Sequence, residues 1–238
     1  MNRYLSQAGI AARRKCDLLI KAGLVSVNGV VVRKPGITVD SSTDYILYND
    51  KRVILNISFE YVLLNKPSGY VCTANDTEGR KTVFDLVASG ARLFPVGRLD
   101  VTTTGLLLLT NDGELSYRLT HPRFGVEKVY RAVLHKSLHP IDLQKLQRDV
   151  LIGKNESVSA QIKVISKNRK VVELTVHEGK KNMIKRMFKV LGYIVVSLDR
   201  IKIGFLTKHK LPLGGWRYLT QKEVQKLHTM AGNPFTNK

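Results

Sequence analysis

Apolar residues recur at helical spacing twice near the start of the chain, Leu5 and Ala8 within residues 3–8 and Cys16, Leu19 and Ile20 within residues 13–22. That spacing predicts two short helices. Gly23 follows the second, at the position where a left-handed residue commonly ends a helix. Val25 to Val27 and Val30 to Val32 then flank Asn28-Gly29, the dipeptide that most strongly signals a two-residue hairpin. A polar stretch from Asn49 to Arg52 closes this basic module, and its boundary is expected near residue 57. Beyond it, strand patterns over residues 61–65, 106–110, 129–134, 158–165 and 171–177 are interspersed with helical patterns over 82–88, 113–120, 140–150, 182–191 and 221–228. Leu106 to Leu109 form an uninterrupted apolar run, as in a strand covered on both faces. The expected fold class is α+β, in two domains: a small N-terminal α/β module at residues 1–57, and at 58–238 a domain built on a mainly antiparallel mixed sheet flanked by helices.

Charge narrows the function. Thirty-nine Lys and Arg stand against 19 Asp and Glu in 238 residues, a formal net charge of +20. Such an excess calls for a polyanion, and nucleic acid fits because each neutralised phosphate releases condensed counterions. An anionic membrane would be met by a basic amphipathic helix, and no apolar run approaches the roughly 20 residues that span a bilayer. The opening residues lack the apolar centre of a signal peptide, so a cytoplasmic protein is expected. Cys16 and Cys72, far apart, fit a reducing compartment as small buried side chains. Neither a phosphate-cradling glycine loop nor a dinucleotide fingerprint is present. His135 and His139 have an i, i+4 spacing, but Pro140 puts them across a strand-to-helix junction, which argues against a metal site.

Asp100 is the acidic residue that draws attention. It follows Gly97-Arg98-Leu99 and precedes Thr102, Thr103, Thr104 and Gly105, at the mouth of the apolar run. Taken alone, such a residue more often caps a turn. The wider segment changes that balance. Gly97-Arg98-Leu99-Asp100, followed by the stretch from Thr104 to Leu115, resembles the signature of the pseudouridine synthases that modify single ribosomal uridines. The likeness continues through Leu64 to Pro67 with Gly69-Tyr70, Lys128 to Tyr130, Lys185 to Phe188 with Gly192, Ile201 to Gly204, and Gly215 to Thr220. The N-terminal module is similar to the RNA-binding domain named after the fourth ribosomal small-subunit protein, with Ala12 where that family usually carries a Ser or Thr cap.

The resemblance implies an isomerase that converts uridine to pseudouridine in ribosomal RNA, without a cofactor, acting as a monomer. It implies Asp100 as nucleophile, on either the sugar or the uracil ring, a task that suits a carboxylate as in glycosidases. Tyr130 would lie beside the target base, Lys185 would pair with Asp100, and Ile184 would pack near the base. Arg98 would enter the space that an extruded base vacates. Arg186 is assigned to RNA, as are Arg13, Arg14, Lys15 and Asn28 of the N-terminal module. Asn182 and Met183 depart from the commonest family form, which weakens RNA contacts there. The stretch from Asn75 to Asp85 looks more like the branch acting on large-subunit RNA than the small-subunit branch. Two other readings stand beside this one: a non-catalytic ribosome-assembly or RNA-binding factor, and a metal-dependent nuclease using Asp100, Asp112 and Glu114.

Overall fold

A computed structural model describes residues 1–55, 58–74, 76–154 and 156–232. The expected boundary at residue 57 and Asn75 lie outside them. The chain divides into two units, Met1–Phe59 and Glu60–Lys238.

In the first unit, helices α1 (Asn2–Gln7) and α2 (Arg13–Lys21) precede strands β1 (Val25–Val27), β2 (Val30–Val32), β3 (Ile46–Tyr48) and β4 (Lys51–Arg52). The strands form an antiparallel sheet in the order β2-β1-β3-β4. Leu5, Cys16, Ile20, Val25 and Ile46 make its core. Asn28 and Gly29 are both left-handed, at φ of 51° and 81°, as the tight turn between β1 and β2 requires. Gly23 has φ of 75° beyond α2, and Ala12 caps α2 without a side-chain hydrogen bond, as its sequence predicts. Strands β3 and β4 were not expected.

The second unit carries β5 (Tyr61–Lys66), β6 (Phe94–Pro95), β7 (Thr104–Thr110), α3 (Gly113–Thr120), β8 (Lys128–Leu134) and α4 (Pro140–Leu146). There follow β9 (Val150–Gly153), β10 (Glu156–Val158), β11 (Gln161–Val164), β12 (Val171–Val176), α5 (Met183–Val190), β13 (Val195–Ile203), β14 (Leu206–Thr207), β15 (Trp216–Tyr218) and α6 (Gln221–Met230). Its main sheet runs β11-β12-β8-β13-β7-β5-β15, with β14 on β13 and β6 on β7. Every pairing is antiparallel except β13 with β7. This is the mixed, mainly antiparallel α+β architecture that the sequence predicts.

Strands β5 and β7 are continuous apolar runs because both sheet faces are covered. Val62, Leu64, Leu107 and Leu109 pack with Met187 and Phe188 of α5 on one face. Leu63, Leu106 and Leu108 pack with Leu115 of α3 and Leu227 of α6 on the other. Strand β12 alternates, since only one of its faces is buried.

Three expectations are corrected, and one central strand was missed. Residues 82–88 form only a 3₁₀ turn, Val83–Leu86, closed by reciprocal bonds between Thr82 and Asp85. The helix expected over 140–150 ends at Leu146, and Val150 already begins β9. The strand expected over 158–165 is two strands: β10 pairs with β9 away from the main sheet, and β11 pairs with β12. The central strand β13 was not anticipated. Its polar residues Ser197, Asp199, Arg200 and Lys202 and two register shifts against β8 break the alternation that marks a strand.

Candidate active site

The parallel pairing of β7 with β13 is close. Gly105 has φ of 104°, and a side chain there would begin 2.6 Å from the Arg200 nitrogen and against the Arg200 carbonyl. Only glycine fits, and this contact fixes where β7 begins and hence where the preceding loop lies. That loop, Gly97 to Thr103, lines a cleft of about 820 Å3 together with Tyr130, Leu198 and the segment from Glu178 to Lys185. Asp100 and Arg98 of this loop, Tyr130 and Lys185, drawn from three separate stretches of sequence, all line it.

Asp100 sits in a turn whose Thr103 amide donates to the Asp100 carbonyl at 3.0 Å. Its carboxylate Oδ2 lies 3.6 Å from Lys185 Nζ, with the two side chains 38% and 31% exposed. Both are therefore within reach of a ligand. Lys185 Nζ also donates to Thr102 Oγ1 at 2.9 Å, so the cation is steered by two groups of the same loop. Lys185 lies on the first turn of α5, which Asn182 opens in a left-handed conformation at φ of 52° without a side-chain cap. The next residue back along the helix, Ile184, is buried and lines the cleft.

Tyr130 projects from β8 and is 9% exposed. Its phenol oxygen accepts a hydrogen bond from Arg200 Nη1 at 3.3 Å, and the guanidinium lies 5.9 Å from the ring centroid. Arg200, on β13, is buried and donates through Nε to the Leu106 carbonyl at 2.6 Å. Its Nη2 has no hydrogen-bond partner among the described residues. Beneath the loop, Lys66 at the end of β5 is wholly buried. Its Nζ donates to the carbonyls of Pro67 at 3.0 Å, Asp100 at 3.2 Å, Val101 at 3.2 Å and Thr103 at 2.9 Å. Burial pushes the Lys66 pKa down, while the Cys72 thiol and Asp100 pull it back up. Cys72 Sγ receives the Leu99 amide at 3.5 Å, and burial raises its thiol pKa.

Sequence reasoning assigned no role to Lys66, Arg200 or Thr102. Lys66 left a signal: a lone cation closing an apolar strand. Arg200 left none, because β13 was not recognised.

The remaining residues assigned to RNA are placed as follows. Arg98 is exposed on the cleft. Arg186 turns from it: its guanidinium binds the Ile152 carbonyl at 2.7 Å and Glu156 at 2.6 Å, clamping the β9–β10 hairpin to α5. In the first unit, Arg14 and Lys15 are exposed, and Arg13 reaches Asn2 Oδ1 at 3.4 Å. Asn28 is engaged by its own module, donating to Asp44 at 2.9 Å and accepting the Tyr45 amide at 2.8 Å.

The nuclease set does not assemble. Asp112 caps α3, accepting the amides of Glu114 and Leu115 at 3.0 Å, and its other oxygen takes the Tyr61 hydroxyl at 2.9 Å. The ring Nδ1 atoms of His135 and His139 accept the backbone amides of Ile194 and Ile141. Among the described residues no group of three or more His, Cys, Asp or Glu could hold a metal ion.

An ion-paired carboxylate and an aromatic ring lining one cleft, on a basic α+β domain, fit an enzyme that acts on nucleic acid. Residues 60–189 match the family described as RNA pseudouridylate synthase, and residues 2–44 match the S4 domain. The chain belongs to that synthase family and is a pseudouridine synthase, an isomerase. It is 39% identical to the ribosomal large subunit pseudouridine synthase B of Bacillus subtilis, covering 97% of this chain and 96% of the relative. It is 36% identical to the ribosomal small subunit pseudouridine synthase A of Vibrio cholerae, over 95% and 98%. A solved pseudouridylate synthase structure matches with a TM-score of 0.69 at 32% identity, covering 94% of this chain and 96% of the other.

Proposed function

We propose that the protein isomerises one uridine of ribosomal RNA, in the large subunit, with Asp100 as nucleophile. The observation that carries this reading is the 3.6 Å approach of Lys185 to an accessible Asp100 carboxylate in the cleft that Tyr130 also lines. Isomerisation breaks the bond from the sugar to a ring nitrogen and makes one to a ring carbon, so a nucleophile must hold one fragment while the base turns. Attack on the anomeric carbon leaves a sugar ester that the ring carbon displaces; attack on the uracil ring leaves an adduct from which the carboxylate is eliminated, restoring the ring double bond, once the sugar has rejoined at the neighbouring ring carbon. The carbon that gains the sugar loses its proton, the freed nitrogen gains one, and no electrons are exchanged. Asp100 supplies the attacking oxygen, Lys185 orients it and balances its charge, and Tyr130, its oxygen held by Arg200, packs against the uracil. Ile184 closes the apolar side. Arg98 occupies the place of the extruded base.

Residues 1–57 act as the RNA-binding module, with Arg13, Arg14, Lys15 and Asn28 toward the RNA, and residues 58–238 as the catalytic domain. Arg186 serves this function by holding α5, and with it Lys185, against the β9–β10 hairpin. The large-subunit preference rests on the segment leading to Asp85 and on the B. subtilis relative. The enzyme works as a cytoplasmic monomer; no helix among the described residues is long and apolar enough to cross a membrane.

The test is a pseudouridine map of ribosomal RNA from cells lacking the protein, complemented with wild type or with Asp100→Asn. One large-subunit site should vanish, return with wild type, and stay absent with Asp100→Asn while that variant still binds RNA. An unchanged map in the deletion overturns the reading, and restoration by Asp100→Asn overturns the nucleophile.

A further inference from the structure

The end of α3 and the loop after it carry a cluster that the chemistry above does not use. Tyr117, His121 and Phe124 meet edge to face or tilted, with ring centroids 5.1 Å apart for Tyr117 and His121 and 5.9 Å for Tyr117 and Phe124. The Arg123 guanidinium lies over both phenyl rings, 4.5 Å from the Phe124 centroid and 5.3 Å from that of Tyr117. Tyr117 is 42% exposed, and His121 and Arg123 are exposed as well. Among the described residues Arg123 has no carboxylate partner, unlike Arg118, which pairs with Glu114 at 3.0 Å.

Residues flanking the cluster touch the segments that lead into the catalytic cleft. Thr120 Cγ2 lies 3.6 Å from where a side chain on Gly97 would begin, next to Arg98. The Gly125 carbonyl is 3.0 Å from His177 Nδ1, at the head of the segment that leads to Lys185. An exposed aromatic surface with a guanidinium over it that has no carboxylate partner among the described residues, in a protein of net charge +20, matches a platform on which an unpaired base stacks while the guanidinium meets its phosphate.

We propose that Tyr117, Arg123 and Phe124 form a second RNA subsite that stacks an unpaired base neighbouring the reacting uridine. This rests on the synthase reading for the cleft, but it concerns grip on the strand and not the chemical step. A uridine turned out of a helix leaves its neighbours unstacked, and a platform beside the cleft offsets that loss. Phe124 is partly buried against the core and supports the outer ring; Tyr117 and Arg123 offer the ligand surface.

The probe is a ten-nucleotide oligouridylate against an abasic strand of equal length, titrated into the full chain by fluorescence anisotropy. Wild type should bind the oligouridylate about tenfold more tightly than the abasic strand, given the usual worth of stacking on an aromatic ring. Tyr117→Ala and Arg123→Ala should narrow that ratio, and Tyr117→Phe, which keeps the ring, should preserve it. A strand carrying 5-iodouridine should photocross-link to the peptide containing Tyr117 and Phe124. An unchanged ratio in both alanine variants, with cross-links absent from that peptide, overturns the platform. Asp100→Asn should keep the ratio; a pseudouridine map that fails the synthase reading while the ratio still responds to Tyr117→Ala leaves a base-binding surface without the chemistry.

Discussion

Lys66 shows what one buried charge does for the catalytic loop. Three of the four carbonyls its ammonium meets, those of Asp100, Val101 and Thr103, belong to the turn that presents the nucleophile. An ammonium has three protons, so the four contacts share them, and the turn is drawn toward one point. Lys66→Met keeps the length of the side chain and removes every one of these bonds. Each carbonyl left buried and unpaired costs about 1–3 kcal/mol. The variant should melt at a clearly lower temperature, and its single-turnover rate should fall more than its affinity for RNA, because the lysine touches the loop and not the cleft. Stopped assays on a ribosomal RNA transcript, beside thermal denaturation, measure both; an unaltered rate in a folded variant would remove Lys66 from the loop's support. The family-like motif around Lys66 was visible in the sequence, yet nothing in it tells which atoms a lysine reaches, since its partners Asp100 to Thr103 lie more than thirty residues away.

Among elements, α6 was legible from its helical pattern, and the structure adds a cap at its start. Thr220 and Glu223 cap it reciprocally, the Glu223 amide donating to Thr220 Oγ1 at 3.3 Å and the Thr220 amide to Glu223 Oε2 at 2.9 Å. Arg217 of β15 adds two bonds to the Glu223 carboxylate and is the first cause of its pKa falling to about 2. Farther along, His228 packs beside Tyr61 and Asp112, where burial lowers its pKa although Asp112 pulls the other way. The two groups give α6 a defined pH response. A histidine that holds its proton less tightly when folded favours the folded state above its ordinary value of 6.5, and that contribution is lost as pH falls through it. Glu223 contributes above 4.5 and loses its part as pH falls from there toward about 2. On account of these two groups, melting temperature should decline as pH falls through 6.5 and decline again below 4.5. His228→Gln should remove the first decline and keep the second; a first decline that persists in this variant assigns it to another group. Strand β13 is the opposite case. Its inward Arg200 and its bulges put polar residues where a strand pattern needs apolar ones, so periodicity passes over the strand on which β7 and β8 converge.

For the whole molecule, the net charge of +20 sets the terms of binding. Phosphate neutralisation releases counterions, so affinity for a ribosomal RNA transcript should fall at least about tenfold between about 50 and 200 mM salt. Filter binding across a salt series measures this, and a flat response would mean that the charge serves something other than the phosphate backbone. Charge, the two-part α+β organisation and the segment around Asp100 are properties of composition and of local pattern, and they are readable without coordinates. So are the Asn28-Gly29 turn and the doubly covered run from Leu106 to Leu109, because backbone handedness and side-chain periodicity are decided by neighbours in the chain. The tertiary structure alone decided that Lys185 stands 3.6 Å from Asp100 and that Arg186, the very next residue, turns to Glu156 instead. It alone brought Lys66 and Arg200 to the site, the one beneath the Asp100 loop and the other against Tyr130. The physical reason is range: residues far apart in sequence meet only where strand order and close approaches such as Gly105 against Arg200 carry them, and no local pattern records where that will be.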